Sequence, residues 1–223
     1  MGLSGSFPID LVLFGMIAAF LILRLRSILG QRTGFERPAA PAQPNPRDMG
    51  PQAAPQAGPS GADDGLGQVV ASAQGRFGPA LTAMKAIDPR FDLGGFLVGA
   101  ERACQMIVSG FAAGDRARLA PLLGDDIRQA FDQAITARET AGESQTTEIR
   151  SVRSITVETV ELAGDLATVT VRIVSDQINI TRNRAGDPVA GSESVTEVID
   201  LWSFERALSQ PDPTWRLVAA RSG

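Results

Sequence analysis

The pattern of apolar residues changes at Gly142, and this change constrains the fold more than any other feature. Before Gly142, apolar residues recur every three or four positions, as on one face of a helix. After it they alternate, and β-branched residues dominate, as in strands. Four successive strands are predicted there: Thr146–Leu162, Leu166–Thr181, Ser194–Ala207 and Thr214–Ala220. Helices followed by a run of strands are typical of an α+β domain.

The links between these strands contain turn-forming residues. They are Gly164–Asp165, Gly186–Asp187–Pro188 and Pro211–Asp212–Pro213. Short turns join strands that are neighbours in the sheet, so we expect a four-stranded antiparallel meander.

The alternation also changes parity inside the first two strands. Val157 and Val160 have opposite parity in the first strand, and Ile173 and Ile178 do in the second. A parity change implies a bulge or a sharp bend. We therefore expect a strongly curved sheet with helices packed into its concave face, a cone that often encloses a pocket.

Several helical segments precede the sheet. Residues 66–87 predict a helix weakened by Gly75, Gly78 and Pro79. The clearest helix follows Phe91 and is ended by Gly114, because its apolar residues form one broad stripe. These residues are Leu93, Phe96, Leu97, Ala100, Cys104, Ile107, Val108 and Phe111. A short helical piece around 119–123 and a helix over 125–141 follow.

The N-terminus resembles a membrane anchor. Thirteen residues from Leu11 to Leu23 carry no polar side chain. Arginines follow this run instead of preceding it, and no small-x-small cleavage site comes after it, so an uncleaved span is favoured over the signal peptide of an exported protein. A helix over 8–29 would span about 33 Å, enough to cross a bilayer. The anchor residues are Pro8, Asp10, Phe14, Phe20, Arg24, Arg26 and Arg32.

The arginines after the apolar run also set the expected orientation. The six residues before Phe7 carry no charged side chain, so the positive-inside rule places the C-terminal side in the cytoplasm. Cys104, the single cysteine, agrees with a reducing compartment. Residues 31–65 form a Pro/Ala/Gly-rich linker with too few large apolar residues to build a core, so we expect a disordered spacer between the anchor (1–30) and the domain (88–223).

Composition excludes several functions. The chain has no histidine and no tyrosine, which removes the commonest metal ligand and every Ser-His or Cys-His nucleophile. Residues 88–223 carry fourteen Lys and Arg against twenty Asp and Glu, a net charge of -6. Nucleic acid is therefore not an expected partner, because non-specific binding depends on neutralising phosphates. No cofactor is expected either.

The residues of the domain resemble a known family. The run IDPRFDLGGFLVGAERACQMIVSGFAAGD and the later LWSFERALSQPDPTWRLV are similar to the C-terminal domain of the Tim forty-four-like proteins. The N-terminal anchor is similar to that of the alphaproteobacterial members. The resemblance implies a cone-shaped α+β domain of the nuclear-transport-factor-two-like kind. It also implies an inner-membrane adaptor that holds a seventy-kilodalton heat-shock chaperone near a translocation channel and touches anionic lipid.

One departure from this family limits what is carried over. The mitochondrial protein has a long charged N-terminal region that contacts the chaperone and the channel, whereas this chain has an apolar segment and a proline-rich linker there. The membrane-adaptor role therefore carries over better than the chaperone tether. The domain signature, which could also line a pocket, comprises Phe91, Phe96, Phe111, Phe131, Trp202, Phe204, Arg206 and Trp215.

Two groups of residues have both a structural and a functional interpretation. The carboxylates Asp125, Asp126, Glu139 and Glu143 suit a helix start and a solvated face better than a metal or acid/base site. The aromatic residues of 202–215 would pack across the last turn as core, or would line an acyl or peptide pocket. The leading hypothesis is a non-enzymatic inner-membrane adaptor for protein transport or membrane-protein biogenesis. The alternative is a pocket protein for a lipid or small molecule, or an enzyme of the cone-shaped superfold.

Overall fold

The structure is a computed structural model that describes residues 62–223. The predicted anchor, including Pro8 and the arginines Arg24, Arg26 and Arg32, lies outside the described residues, as does nearly all of the linker. Among the helices of the described part, none is both long enough and apolar enough to cross a membrane.

The described chain is a set of helices followed by four strands, which confirms the α+β class. The helices are α1 (Ala62–Ile87), α2 (Leu93–Ala113), α3 (Arg116–Leu119), a 3-10 turn (Ala120–Leu122) and α4 (Asp125–Ala141). The strands are β1 (Ser144–Ala163), β2 (Leu166–Arg182), β3 (Pro188–Ala207) and β4 (Arg216–Ser222). All neighbouring strands pair antiparallel in the order β1-β2-β3-β4, so the predicted meander is confirmed.

The sheet is irregular where the parity of the sequence changes. β1 has one additional residue relative to β2 at three places, after Ile149, Val152 and Val157. The third of these confirms the bulge expected between Val157 and Val160. Near Ile178 the irregularity is also present, but the additional residues lie in β3 and not in β2, because Gln177 pairs with Thr196 and Asn179 pairs with Ser192. Bulges bend and twist a strand, which curves the sheet.

Local capping determines where α2 begins and ends. The Asp92 side chain accepts a hydrogen bond from the Gly95 N–H at 2.6 Å, which satisfies one free donor of the first turn. At the other end Gly114 adopts a left-handed conformation with φ +71°, and its N–H bonds back to the helix. The Arg138 guanidinium of α4 donates to the Phe111 and Ala112 carbonyls at 2.7 and 3.1 Å, which ties α4 to the end of α2.

The first helix has a kink in the region where the sequence predicts a weakened helix. Phe77 leaves the helical conformation (φ -120°, ψ 16°) two residues before Pro79, so α1 consists of two helical segments. A proline inside a helix removes one backbone hydrogen bond and clashes with the preceding turn. In the first segment, the Val70 side chain lies beside Gly94 at the start of α2.

The hydrophobic core lies between the helices and one face of the sheet. β2 contributes Val169, Val171 and Ile173, and β3 contributes Trp202 and Phe204. The helices cover these residues with the apolar stripe of α2, in which three side chains are almost completely buried: Leu97, Cys104 and Ile107. Burial of each large apolar side chain contributes about 1.5–3 kcal/mol, so this face holds the helical layer on the sheet.

The glycine in the irregular part of β3 is essential to the pairing of β2 and β3. Gly191 has φ +77°, and a Cβ atom there would overlap the Asn179 carbonyl. Gly191→Ala should lower the free energy of unfolding by about 2 kcal/mol or more, because the cost of the backbone strain and the cost of the overlap add together. Denaturant titration measures this.

Gly164→Ala is the matched control for that experiment. Gly164 also has a positive φ (+65°), but a Cβ atom there meets no atom within 4 Å. Only the conformational strain applies, and about 1 kcal/mol is expected. Equal losses in the two variants would contradict the close approach of the strands at Gly191.

Candidate functional site

A groove opens between the start of α2 and the turn that joins β3 to β4. Its cavity measures about 380 Å³, and its walls are mainly apolar. Gly95 and Gly99 of α2 lie along it without side chains to fill it. Phe96 of the same helix also lines it, together with Pro213 and Trp215 from the turn. The groove therefore results from the absence of side chains on one turn of α2 and the presence of an aromatic wall facing it.

The aromatic wall is a connected set of rings. The Trp215 ring lies 4.8 Å from the Phe96 ring and 6.0 Å from the Phe91 ring, measured between centroids. Phe96 meets Phe204 edge-on at 6.0 Å, and Phe204 lies 6.2 Å from Trp202. Tilted and edge-on contacts at these distances are favourable. Trp202 is buried in the core, whereas Trp215 is half-buried and faces the groove.

A buried ion pair borders the groove. Asp88 follows α1 and is 4% exposed, and Arg206 lies near the end of β3 and is 8% exposed. The Arg206 Nη2 donates to Oδ2 of Asp88. The backbone N and the Nε of Arg90 donate to Oδ1 at 3.0 and 3.3 Å. The hydrogen bond from Arg206 lowers the pKa of Asp88, and it outweighs burial, which acts in the opposite direction.

Arg206 has a donor that this pair does not use. Its Nε is buried and has no hydrogen-bond partner among the described residues. Its guanidinium carbon lies 5.8 Å from the centroid of the Trp215 ring, within the range of a cation–π contact. Arg206 also borders a second, open cavity of about 1000 Å³ between α4 and the same turn, where Asp125 pairs with Arg128 and Asp212 with Arg216.

A model of the Tim44-like domain family matches residues 77–222, which is most of the described chain and includes the groove and the ion pair. The chain belongs to the Tim44-like domain family. This confirms the resemblance inferred from the sequence. It also associates the Tim44-like domain with membranes and with protein translocation.

A solved structure is similar to this chain, whereas no curated protein matches it. The crystal structure of the intermembrane-space region of the chloroplast protein ARC6 is similar, with a TM-score of 0.43 and 15% identity. The similarity covers 60% of this chain and 98% of that one. No protein with a curated description matches the sequence.

The Tim44-like domain separates the predicted signature residues into two clusters. Six of the eight belong to the connected site just described: Phe91, Phe96, Trp202, Phe204, Arg206 and Trp215. Phe111 and Phe131 instead form a separate pair, with centroids 4.9 Å apart, beside Arg138. This second pair joins α2 to α4 and does not line the groove.

Two of the four carboxylates considered for acid/base work, Asp125 and Glu139, take part in surface ion pairs. Asp125 accepts from Arg128 at 2.9 Å, and Glu139 accepts from Arg116 at 2.9 Å. The hydrogen bond from Arg116 lowers the pKa of Glu139. Across residues 62–223, no three His, Cys, Asp or Glu side chains cluster closely enough to hold a metal ion.

Sequence reasoning did not identify two acidic residues of the Tim44-like domain, the buried Asp88 and the half-buried Asp200. Asp88 lies in the run that resembles the Tim forty-four-like family, but nothing in the sequence indicates that it pairs with Arg206. Asp200 shares a strand face with Trp202 and Phe204, and the parity of β3 could have revealed it. Burial raises the pKa of Asp200 to about 6. Burial also raises the pKa of the nearby Cys104 thiol to about 12, with smaller contributions from Asp200 and Glu101.

Arg206→Met tests the contribution of the buried ion pair. Removing one member of such a pair leaves the other charge buried without its partner, so the free energy of unfolding should fall by about 3 kcal/mol. Urea titration gives this value. The control is Arg216→Met, which breaks a half-exposed pair with Asp212 and should change stability by less than about 1 kcal/mol. Similar losses would contradict a special role for the buried pair.

Asp200→Asn tests this half-buried acid through the pH dependence of stability. The raised pKa means that the folded protein binds this proton more tightly than the unfolded chain, so stability falls as pH rises from about 4 to about 6. Asparagine should remove that slope and raise the free energy of unfolding at pH 7 by up to about 3 kcal/mol.

Thermal unfolding at a series of pH values measures the slope for Asp200→Asn. Glu161→Gln, an exposed acid on β1, should leave the slope unchanged. An unaltered slope in Asp200→Asn would show that this carboxyl does not titrate as its burial implies.

Proposed function

We propose that this protein is a non-enzymatic adaptor anchored in the inner membrane, and that its Tim44-like domain binds protein partners in protein transport or membrane-protein biogenesis. The match of the Tim44-like domain family over residues 77–222 carries this proposal. The apolar segment Leu11–Leu23, placed before the domain and separated from it by a proline-rich stretch, supports membrane attachment. The linker would let the domain reach partners near the bilayer.

The proposed topology is a single pass with the N-terminus in the periplasm and the domain in the cytoplasm. Arg24, Arg26 and Arg32 follow the apolar segment, and positive charge favours the cytoplasmic side. The same arginines would attract anionic lipid at that surface. In a eukaryotic cell the corresponding placement is the mitochondrial inner membrane with the domain in the matrix. The proposed protein partners are a seventy-kilodalton heat-shock chaperone or a translocation channel.

The groove supports a second function, the binding of a small molecule. Its volume is at the lower end of the range of small-molecule sites, and its walls are apolar with a few polar groups at one end. The enzymatic version of this alternative has less support. The acid with a raised pKa, Asp200, lies outside the linings of both cavities described above, so it does not face a bound substrate there.

Crosslinking in intact membranes followed by affinity capture tests the adaptor function. The full chain should recover a translocase component, a chaperone or a membrane-protein client. A chain lacking residues 1–30 should keep partners that contact the domain directly and lose those met only at the bilayer. Recovery of none of these classes by the full chain would contradict the proposal.

The matched control for the capture is a chain of residues 1–65. It keeps the predicted anchor and linker and lacks the domain. Partners recovered equally by both chains are bound by the N-terminal region. Partners lost from the shorter chain require the Tim44-like domain.

A further inference from the structure

The groove contains an unused hydrogen-bond donor at its polar end. Arg206 lines the groove, and its side chain is 7% exposed. Within residues 62–223, the one hydrogen bond of its side chain joins Nη2 to Asp88, and its buried Nε has no acceptor. A buried donor without an acceptor costs free energy, and the cost is larger for a charged group. An acceptor atom placed in the groove would relieve it.

The acidic side chains near Arg206 are already engaged. Both oxygens of Asp88 accept hydrogen bonds, from Arg206 and from Arg90. Asp92, which also lines the groove, caps α2 through Oδ2. Asp212, on the other side of Arg206, accepts from Thr214 and Arg216. The donor left without a partner is therefore the buried Nε of Arg206, whereas both oxygens of its partner Asp88 already accept hydrogen bonds. This favours a ligand that brings an acceptor.

Charge is compatible with an anionic acceptor. Arg90, Asp92 and Arg206 line this end of the groove, and Asp88 pairs with Arg206. The net charge of these four residues is zero, and the neighbouring pair of Asp212 and Arg216 adds none. The first turn of α2 adds a partial positive charge, because the groove runs along Gly95 at the start of that helix. A carboxylate is the strongest common acceptor for a guanidinium, and such charge-assisted bonds are about twice as strong as neutral ones.

The rest of the groove requires an apolar body. Phe96, Trp215 and Pro213 form one wall, and Gly99 leaves open space, since a Cβ atom there would meet no atom within 4 Å. An extended peptide brings a polar N–H and C=O with every residue, and these groups would lie against apolar walls without partners. A molecule with one polar end and an apolar chain matches the walls better.

We propose that this groove binds a free monocarboxylic acid of medium chain length, with its carboxylate bonded to Arg206 and its chain lying over Gly95 and Gly99. The volume of about 380 Å³ suits a ligand the size of octanoate. This ligand site rests on the second function proposed for the groove and not on the adaptor role, so its failure would leave the adaptor role standing.

Octanoate binding to the full chain in phosphatidylcholine nanodiscs tests the proposal. Trp215 faces the groove, so its fluorescence should change saturably as octanoate is added. Octanamide keeps the chain and loses the charge, and it should bind at least about tenfold more weakly. Equal affinity for the two compounds would overturn the role of Arg206.

Gly99→Leu is the decisive variant, because it fills the groove without disturbing the ion pair. Its helix should be at least as stable as before, since leucine favours helices more than glycine does. Octanoate binding should fall at least about tenfold. Gly67→Leu is the matched control on α1, where a Cβ atom also meets nothing within 4 Å, and it should bind octanoate normally. Partition of octanoate into the nanodisc is the same for both variants.

Arg206→Lys adds a second measurement. It keeps the positive charge beside Asp88 and removes the Nε–H, so octanoate should bind more weakly while octanamide changes little. If Arg206→Lys does not fold, Gly99→Leu and the octanamide comparison still decide the question. Absence of saturable octanoate binding would refute the proposal. A change in Trp215 fluorescence on transfer to phosphatidylglycerol nanodiscs, without any change on addition of octanoate, would also refute it. That result would assign the groove to phospholipid.

Discussion

The arrangement of the whole site depends on the ion pair between Asp88 and Arg206. The two residues are 118 positions apart, and both are buried. An isolated charge in a protein interior is strongly unfavourable, so each residue can be buried only where the other is present. This requirement holds the junction of α1 and α2 against the end of β3. Arg90 adds a second contact to the same carboxylate from the solvent side.

The groove follows from that junction. Once Asp88 is held against β3, Phe91 and the first turn of α2 lie beside the turn between β3 and β4. Phe96 then contacts Phe204 of β3 and Trp215, which lies directly before β4. The groove remains open because Gly95 and Gly99 present no side chains toward it. It is bordered by a helix and a hairpin, so a ligand there would meet walls whose positions are set by the core.

Most of the architecture could be predicted from local patterns. The bounds of α4 agree with the predicted helix, since Gly142 is the left-handed residue that ends it. β3 is longer than expected and begins at Pro188 instead of Ser194. Its first half is exposed, with polar residues and the left-handed Gly191, so it lacks the alternation on which the prediction depended. Hydrophobic patterning reports burial, and an exposed strand has little of it.

The sequence by itself determined the order of helices and strands, the aromatic residues of the site and the exclusion of histidine chemistry, because each depends on residue type and local spacing. Only the tertiary structure decided that Arg206 pairs with Asp88, that its Nε is left without an acceptor, and that Phe111 and Phe131 lie apart from the groove. These facts depend on contacts between residues far apart in the chain, and no local pattern specifies which distant residues meet. The cavity itself is the space left between elements after they pack, so it has no signature in the sequence.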